Sequence, residues 1–89
     1  MAIGIVFTGD GVTQAQYEQV LHAVSTDNRL VPGMLSHTAG PTQNGWCVVE
    51  TWESQEAAQE FFEQKLGQEL QKAGINIQPT FFQIVNTMR

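Results

Sequence analysis

The first third of the chain places a short apolar segment before an amphipathic helical one. Residues 2–8, with the sequence AIGIVFT, are continuously apolar and rich in β-branched side chains. They predict a buried strand that ends in a turn at 9–11. Thr13, followed three residues later by Gln16, forms a capping-box pattern and predicts a helix start. Apolar residues then recur at helical spacing: Tyr17, Val20, Leu21 and Val24. We expect this helix to end within 25–28.

Two further strands are predicted next, joined by a hairpin loop. The turn at 31–33 leads into a strand over 34–39. Glycine, proline and asparagine at 40–45 indicate the loop, and a third strand follows over 46–52.

The remainder of the chain predicts a second helix and a fourth strand. Ser54 is a typical N-cap, and the core stripe of the helix consists of Ala58, Phe61, Phe62 and Leu66. Gly67 is expected to kink or end the helix, and Gly74 suits the position after a helix end. Pro79 lies at the entrance of the last strand, predicted over 80–88.

This order of elements predicts an α+β fold of the ferredoxin-like type, β1-α1-β2-β3-α2-β4. Residues 1–89 are expected to form one domain with a four-stranded antiparallel sheet and both helices on one face.

The predicted strands are apolar on both faces, although the helices cover only one. In the first strand Ile3 and Ile5 lie on one face and Val6 on the other, and in the third Val48 and Val49 are opposed in the same way. A large apolar face in contact with water promotes aggregation. The pattern therefore predicts a homodimer that packs through its sheet faces, a dimeric α+β barrel.

Charge and cysteine content narrow the possible partners. The net charge is −5, and the four Lys and Arg residues are scattered, so neither nucleic acid nor an anionic membrane surface is an expected partner. A small apolar or aromatic molecule is a better candidate ligand. Cys47 is the only cysteine, and no signal-peptide pattern or long apolar segment is visible, so a cytoplasmic location is expected. His22 and His37 lack a clustered third ligand, so no metal site is predicted.

Three segments resemble the antibiotic biosynthesis monooxygenase family of the dimeric α+β barrel superfamily. They are 32–37 (PGMLSH), 45–52 (GWCVVETW) and 50–57 (ETWESQEA). The resemblance implies a cofactor-independent oxygenase that acts on an aromatic or quinol-type substrate, with no cofactor. Haem-degrading members of the family carry an Asn in strand 1, a Trp in helix 2 and a later His. This chain has no Asn before residue 28, no Trp in helix 2 and no His after His37, so haem degradation is not expected.

His37 is the candidate catalytic base, with Glu50 as its partner. If Gly40 pairs with Gly45, His37 lies opposite Val48 and diagonal to Glu50, roughly 7–8 Å away on the same face. A histidine beside a carboxylate can remove a proton from an acidic phenol. The alternative is a structural histidine, bonded to a neighbouring side chain or to the dimer partner.

Four aromatic residues are candidates for a substrate pocket between the helices and the sheet: Tyr17, Trp52, Phe61 and Phe62. Pockets of this kind are mostly apolar with few polar groups. The alternative is that these rings only fill the core. Three functions therefore stay open: a monooxygenase-like enzyme, a non-enzymatic small-molecule-binding dimer, and a purely structural dimer.

Overall fold

The computed structural model describes residues 1–25, 27 and 29–88. Its strands are β1 (Ile3–Asp10), β2 (Met34–Pro41), β3 (Gly45–Trp52) and β4 (Gln78–Gln83). Its helices are α1 (Gln14–Val24), α2 (Gln55–Phe61) and α3 (Gly67–Lys72), and a π-helical turn (Phe62–Leu66) joins α2 to α3. The chain therefore has the predicted ferredoxin-like order of elements.

The four strands form one sheet in the order β2-β3-β1-β4, with every neighbouring pair antiparallel. β1 is central, pairing Ile5 with Glu50 of β3 and with Phe81 of β4. The two strands at the edges are β2 and β4.

β1 and β2 both extend two residues beyond their predicted ends. Asp10 pairs with Gly45, and the turn begins only at Gly11, whose φ of 74° is in the region that favours glycine. In β2, Pro41 still pairs with Trp46. An edge strand tolerates proline because its outward N–H has no strand to bond. The hairpin loop is therefore only residues 42–44.

β4 begins and ends earlier than the predicted 80–88, and Pro79 lies inside it. Its neighbour β1 begins at Ile3, so the ladder closes with one further bond from Ile84 N to Ala2 O, at 3.1 Å. Beyond that bond the chain leaves the sheet, and Val85 is 95% exposed.

The predicted helix starts are confirmed, because caps are local features. Thr13 and Gln16 form the complete capping box, and Ser54 caps α2 by accepting a hydrogen bond from Ala57 N. α1 ends at the C-cap Ser25, and the predicted helix end at 25–28 includes Thr26 and Asn28, which lie outside the described residues.

The second helical segment continues past its predicted break. Gly67 keeps a helical φ of −57°, and the irregularity is the π-helical turn before it. The segment ends after Ala73 at Gly74, which has φ 71°. Backbone bonds from Gly74 N to Gln71 O and from Ile75 N to Leu70 O form a Schellman motif there.

The helices cover one face of the sheet and leave the other open. Buried side chains of the covered face pack against Ala58 of α2, and they are Ile3, Ile5, Phe7 and Trp52. In the part of the chain that the structure describes, no helix packs on the open face, which carries Val6, Cys47, Val49 and Phe82. Val49 is 40% exposed there and Phe82 48%. The Phe82 ring lies over Gly4 in the space that a larger side chain would need, so substitution at position 4 would displace this ring.

Candidate functional site

The hairpin places His37 of β2 directly opposite Glu50 of β3. His37 Nδ1 and Glu50 Oε2 are 2.8 Å apart. The predicted pairing of Gly40 with Gly45, and of His37 with Val48, is wrong by two residues. A shift of two residues leaves each side chain on its face, because side chains alternate with a period of two. The predicted pair is therefore closer than expected.

Glu50 is a buried carboxylate whose two oxygens both have partners. Only 4% of Glu50 is exposed. Trp52 Nε1 donates a hydrogen bond to Oε1 at 2.9 Å, and His37 Nδ1 is hydrogen-bonded to Oε2. Trp52 lies two residues along the same strand and so shares its face. Burying a carboxylate is costly unless hydrogen bonds compensate for lost water. The two donors therefore hold Glu50 in one orientation.

Tyr17 of α1 completes the group from the helix layer. Its Oη lies 2.6 Å from His37 Nε2. An ionised carboxylate only accepts hydrogen bonds, so His37 Nδ1 carries a proton and donates to Glu50. A neutral imidazole then offers Nε2 as an acceptor, and the Tyr17 hydroxyl donates to it. Tyr17, His37, Glu50 and Trp52 thus form one hydrogen-bonded chain, the Tyr17–Trp52 chain.

The Tyr17 hydroxyl is held in its protonated form. Burial raises the pKa of Tyr17 above its usual 10.0, and the negative charges of Glu50 and Glu18 raise this pKa further. Its ring also packs against Trp46, with ring centroids 5.2 Å apart, which fixes its position over the sheet. Tyr17 is therefore a neutral hydrogen-bond donor at physiological pH.

The Tyr17–Trp52 chain borders a cavity of about 220 Å³ between α1 and the sheet, the first cavity. Tyr17, His37 and Glu50 are polar members of its wall. Most of the remaining wall is aliphatic or aromatic, including Phe7, Val20, Leu21, Val24, Met34, Val48, Phe61, Leu66, Leu70 and Ile77. Ser25 and Arg29 are the other polar residues of this wall. The arrangement is therefore an acid–base group at one side of a mostly apolar space.

The four aromatic residues predicted for one pocket are divided between two cavities. Tyr17 and Phe61 line the first cavity. Trp52 and Phe62 line a second cavity of about 250 Å³ beside β4, and Phe61 lines this one as well.

Two other predicted features can be located. His22 is exposed on α1, away from this site. Among residues 1–25, 27 and 29–88, no group of three or more His, Cys, Asp or Glu side chains is placed to hold a metal ion. No helix in this part of the chain is long and apolar enough to cross a membrane.

Sequence reasoning missed the polar contacts of Tyr17 and Trp52, which it treated only as apolar pocket residues. The Trp52 contact had a signal, since residues at i and i+2 of a strand share a face. The Tyr17 contact had none, because the position of a helix over a sheet depends on tertiary packing.

Comparison with solved structures shows which proteins share this fold. SnoaB, a cofactor-independent oxygenase from Streptomyces nogalater, matches with a TM-score of 0.68 at 15% identity, over 98% of this chain and 95% of SnoaB. A candidate antibiotic biosynthesis monooxygenase from Chloroflexus aurantiacus J-10-fl matches with a TM-score of 0.70 at 12% identity, over 100% and 98% of the two chains. A dimeric ferredoxin-like protein of unknown function from Thermobifida fusca YX gives 0.67 at 18% identity, over 94% and 92%.

The chain therefore has the ferredoxin-like fold of the antibiotic biosynthesis monooxygenase-like proteins, as its sequence resemblance predicted. Comparisons with protein-family models and with curated proteins give no match.

Proposed function

We propose that this protein is a cofactor-independent monooxygenase acting on a small aromatic or quinol-type substrate. The observation that carries the proposal is the Tyr17–Trp52 chain at the wall of the first cavity. It combines a base, a buried anion and an apolar space of about 220 Å³. The shared fold with SnoaB, a cofactor-independent oxygenase, supports the same reaction class.

The reaction needs no resident cofactor when the substrate itself supplies the electrons. A quinol that loses its hydroxyl proton becomes an electron-rich anion that can reduce O₂. One oxygen atom enters a ring C–H bond, giving a hydroxyquinone, and the other leaves as water. The quinol supplies all four electrons that O₂ accepts, so the equation balances. The protein's tasks are deprotonation, orientation and exclusion of water.

His37 is the proposed proton acceptor, and Tyr17 connects it to the substrate. Because Tyr17 already donates to Nε2, a substrate hydroxyl in the first cavity reaches the imidazole through the Tyr17 oxygen. The substrate passes its proton to Tyr17 as Tyr17 passes its own to His37. No free tyrosinate forms, which agrees with the raised pKa of Tyr17. The Glu50 carboxylate stabilises the imidazolium that results.

The proposed active form is a homodimer that covers the open face of the sheet. Val49 and Phe82 expose apolar surface there, and a second sheet packed about 10 Å away would cover it. The Thermobifida fusca protein of the same fold is described as dimeric, which supports this assembly.

Oxygen consumption with a panel of substituted quinols tests the enzymatic proposal. We expect wild-type protein to accelerate uptake with at least one quinol, and His37→Ala to lower that rate by roughly 10² to 10⁴. His22→Ala is the matched control, because His22 is the only other histidine and is exposed on α1. A His37→Ala protein with the wild-type rate would contradict the role of His37.

The same assay distinguishes the second candidate, a non-enzymatic small-molecule-binding dimer. An apolar cavity of this size also suits a binding module, so the cavity supports both functions over a purely structural dimer. Wild-type protein that binds the quinols but consumes no more oxygen than a sample without protein would be a binding module.

A further inference from the structure

The two cavities on the covered face are neighbours with a common wall. The first lies between α1 and the sheet, and the second lies between the π-helical turn and the strands β1 and β4. Their linings share four residues: Phe7, Glu50, Phe61 and Leu66. Among the described residues, these side chains alone line both cavities, and together they form the partition.

The four members of this partition differ in how firmly they are held. Phe7 and Glu50 belong to paired central strands and are buried, so removing either one would damage the sheet or the Tyr17–Trp52 chain. Phe61 comes from the helix layer and is only partly buried. Its ring packs on Trp52, with centroids 5.5 Å apart and planes inclined by 39°. Phe61 is therefore a large, partly buried ring that packs on the core from the helix layer.

The backbone around Phe61 is irregular where the partition is built. Phe61 is the last residue of α2, and the π-helical turn starts at Phe62. Such wide turns occur frequently at functional sites, since they change the direction of the side chains that follow. Here Leu66, the last residue of that turn, lines both cavities, while Phe62 lines the second cavity alone.

We propose that Phe61 divides one apolar pocket into two and thereby limits the substrate to one or two fused rings. This inference rests on the proposed function and specifies the substrate class of the same site. An apolar cavity of roughly 150 Å³ admits one benzene molecule. The first cavity, at about 220 Å³, is suited to a substituted single ring or two fused rings. Joined to the second cavity, it would have about twice that volume.

Calorimetric titration with redox-stable hydroxyarenes tests the limit without relying on turnover. The probes are phenol, 1-naphthol and 9-phenanthrol, with one, two and three fused rings. Apolar burial alone makes the largest probe bind most tightly. For wild-type protein we expect the opposite order for the two largest probes. 9-Phenanthrol should bind at least tenfold more weakly than 1-naphthol.

Substitutions at the adjacent residues Phe61 and Phe62 test which side chain limits the size of the bound probe. Phe61→Ala is expected to improve 9-phenanthrol binding at least tenfold over wild type, with Phe61→Leu, the milder change, improving it less. Phe62→Ala is the matched control, since Phe62 lines only the second cavity and should leave the order unchanged. Circular dichroism verifies folding, and Phe61→Leu decides the result if Phe61→Ala does not fold.

Three results would overturn the inference: wild-type protein that binds 9-phenanthrol as tightly as 1-naphthol, one that binds none of the probes, or equal effects of Phe61 and Phe62 substitutions. Failure of the proposed function can be distinguished from failure of this size limit. A protein that consumes no oxygen with any quinol, yet shows the expected order of binding, retains the size limit and is not an oxygenase.

Discussion

At the scale of single residues, the site depends on one buried carboxylate. Glu50 accepts hydrogen bonds from Trp52 and His37, and its charge also reaches Tyr17 through the imidazole between them. An unpaired buried charge would be strongly destabilising. The Tyr17–Trp52 chain therefore fixes the carboxylate, the imidazole and the phenol in one arrangement relative to each other.

The titration of Tyr17 should report this arrangement directly. Tyr17 is the only tyrosine, so the near-ultraviolet absorbance of tyrosinate measures one group. We expect its pKa in the folded protein to lie above 10.0, and Glu50→Gln to lower it, because the carboxylate charge is one cause of the rise. Burial is the larger cause, so the pKa of Tyr17 in Glu50→Gln should remain above 10.0. A wild-type pKa at or below 10.0 would contradict the structure.

The raised pKa of Tyr17 also determines how the stability of the folded protein changes with pH. The folded state holds the Tyr17 proton more tightly than the unfolded state does. The resulting stability is present in full below pH 10 and is lost as the pH rises through the folded-state pKa. Above pH 10 the free energy of unfolding of wild type should fall more steeply than that of Tyr17→Phe.

Much of this site could be anticipated from the sequence, and the limits have physical causes. The period of two in strands placed His37 and Glu50 on one face correctly. Their direct contact was missed because the loop was assumed to include Pro41, which instead pairs with Trp46 at the end of edge strand β2. The hydrogen bond from Tyr17 depends on how α1 packs on the sheet, and the sequence contains no local signal for that.

At the scale of elements, the residues at which helices begin were easier to predict than the residues at which helices and strands end. Both helix starts follow from side chains within three residues of the cap, as with Thr13 and Ser54. The end of β4 depends on where its partner β1 begins, about 80 residues away in the chain. The π-helical turn after Phe61 has no recognised sequence signature, and the sequence suggested only an irregularity near Gly67.

The cap of α2 gives a quantitative test at this scale. Ser54 Oγ accepts a hydrogen bond from Ala57 N at 3.1 Å, satisfying a donor with no partner inside the helix. Ser54→Ala should lower the free energy of unfolding by about 1 kcal/mol, measured by urea denaturation. Ser54→Asp retains an acceptor and should preserve stability. Equal losses in both variants would show that the hydroxyl does not act as a cap.

At the scale of the whole molecule, the sheet is apolar on two faces and covered on one. This imbalance was visible in the strand pattern, and the structure bears it out: Trp52 on the covered face is 1% exposed, whereas Val49 on the open face retains 40% exposure. The cavities were less predictable, because their volumes are what remains after helices of fixed length pack on a twisted sheet. The proposed homodimer follows from the open face and is separate from the proposed chemistry.

A charge at the centre of the open face should prevent the proposed association. Val49 pairs with Val6 on one side and Thr38 on the other, so it lies well inside the sheet. We expect Val49→Lys to be a monomer by light scattering where wild type is a dimer, because burying an unpaired lysine is costly. Ala15→Lys, on the exposed surface of α1, should remain dimeric. Wild type with a monomer mass would contradict the dimer.

The central position of β1 has a consequence for how the chain folds as it is made. β1 leaves the ribosome before both of its neighbours, and its residue Ile3 pairs with Trp52 and with Gln83. Pairings this distant in sequence form slowly, since long loops must close first. The sheet cannot be completed until residue 83 has emerged. The strand that contributes most to the core therefore spends the longest time without partners, when the chain is most prone to aggregation.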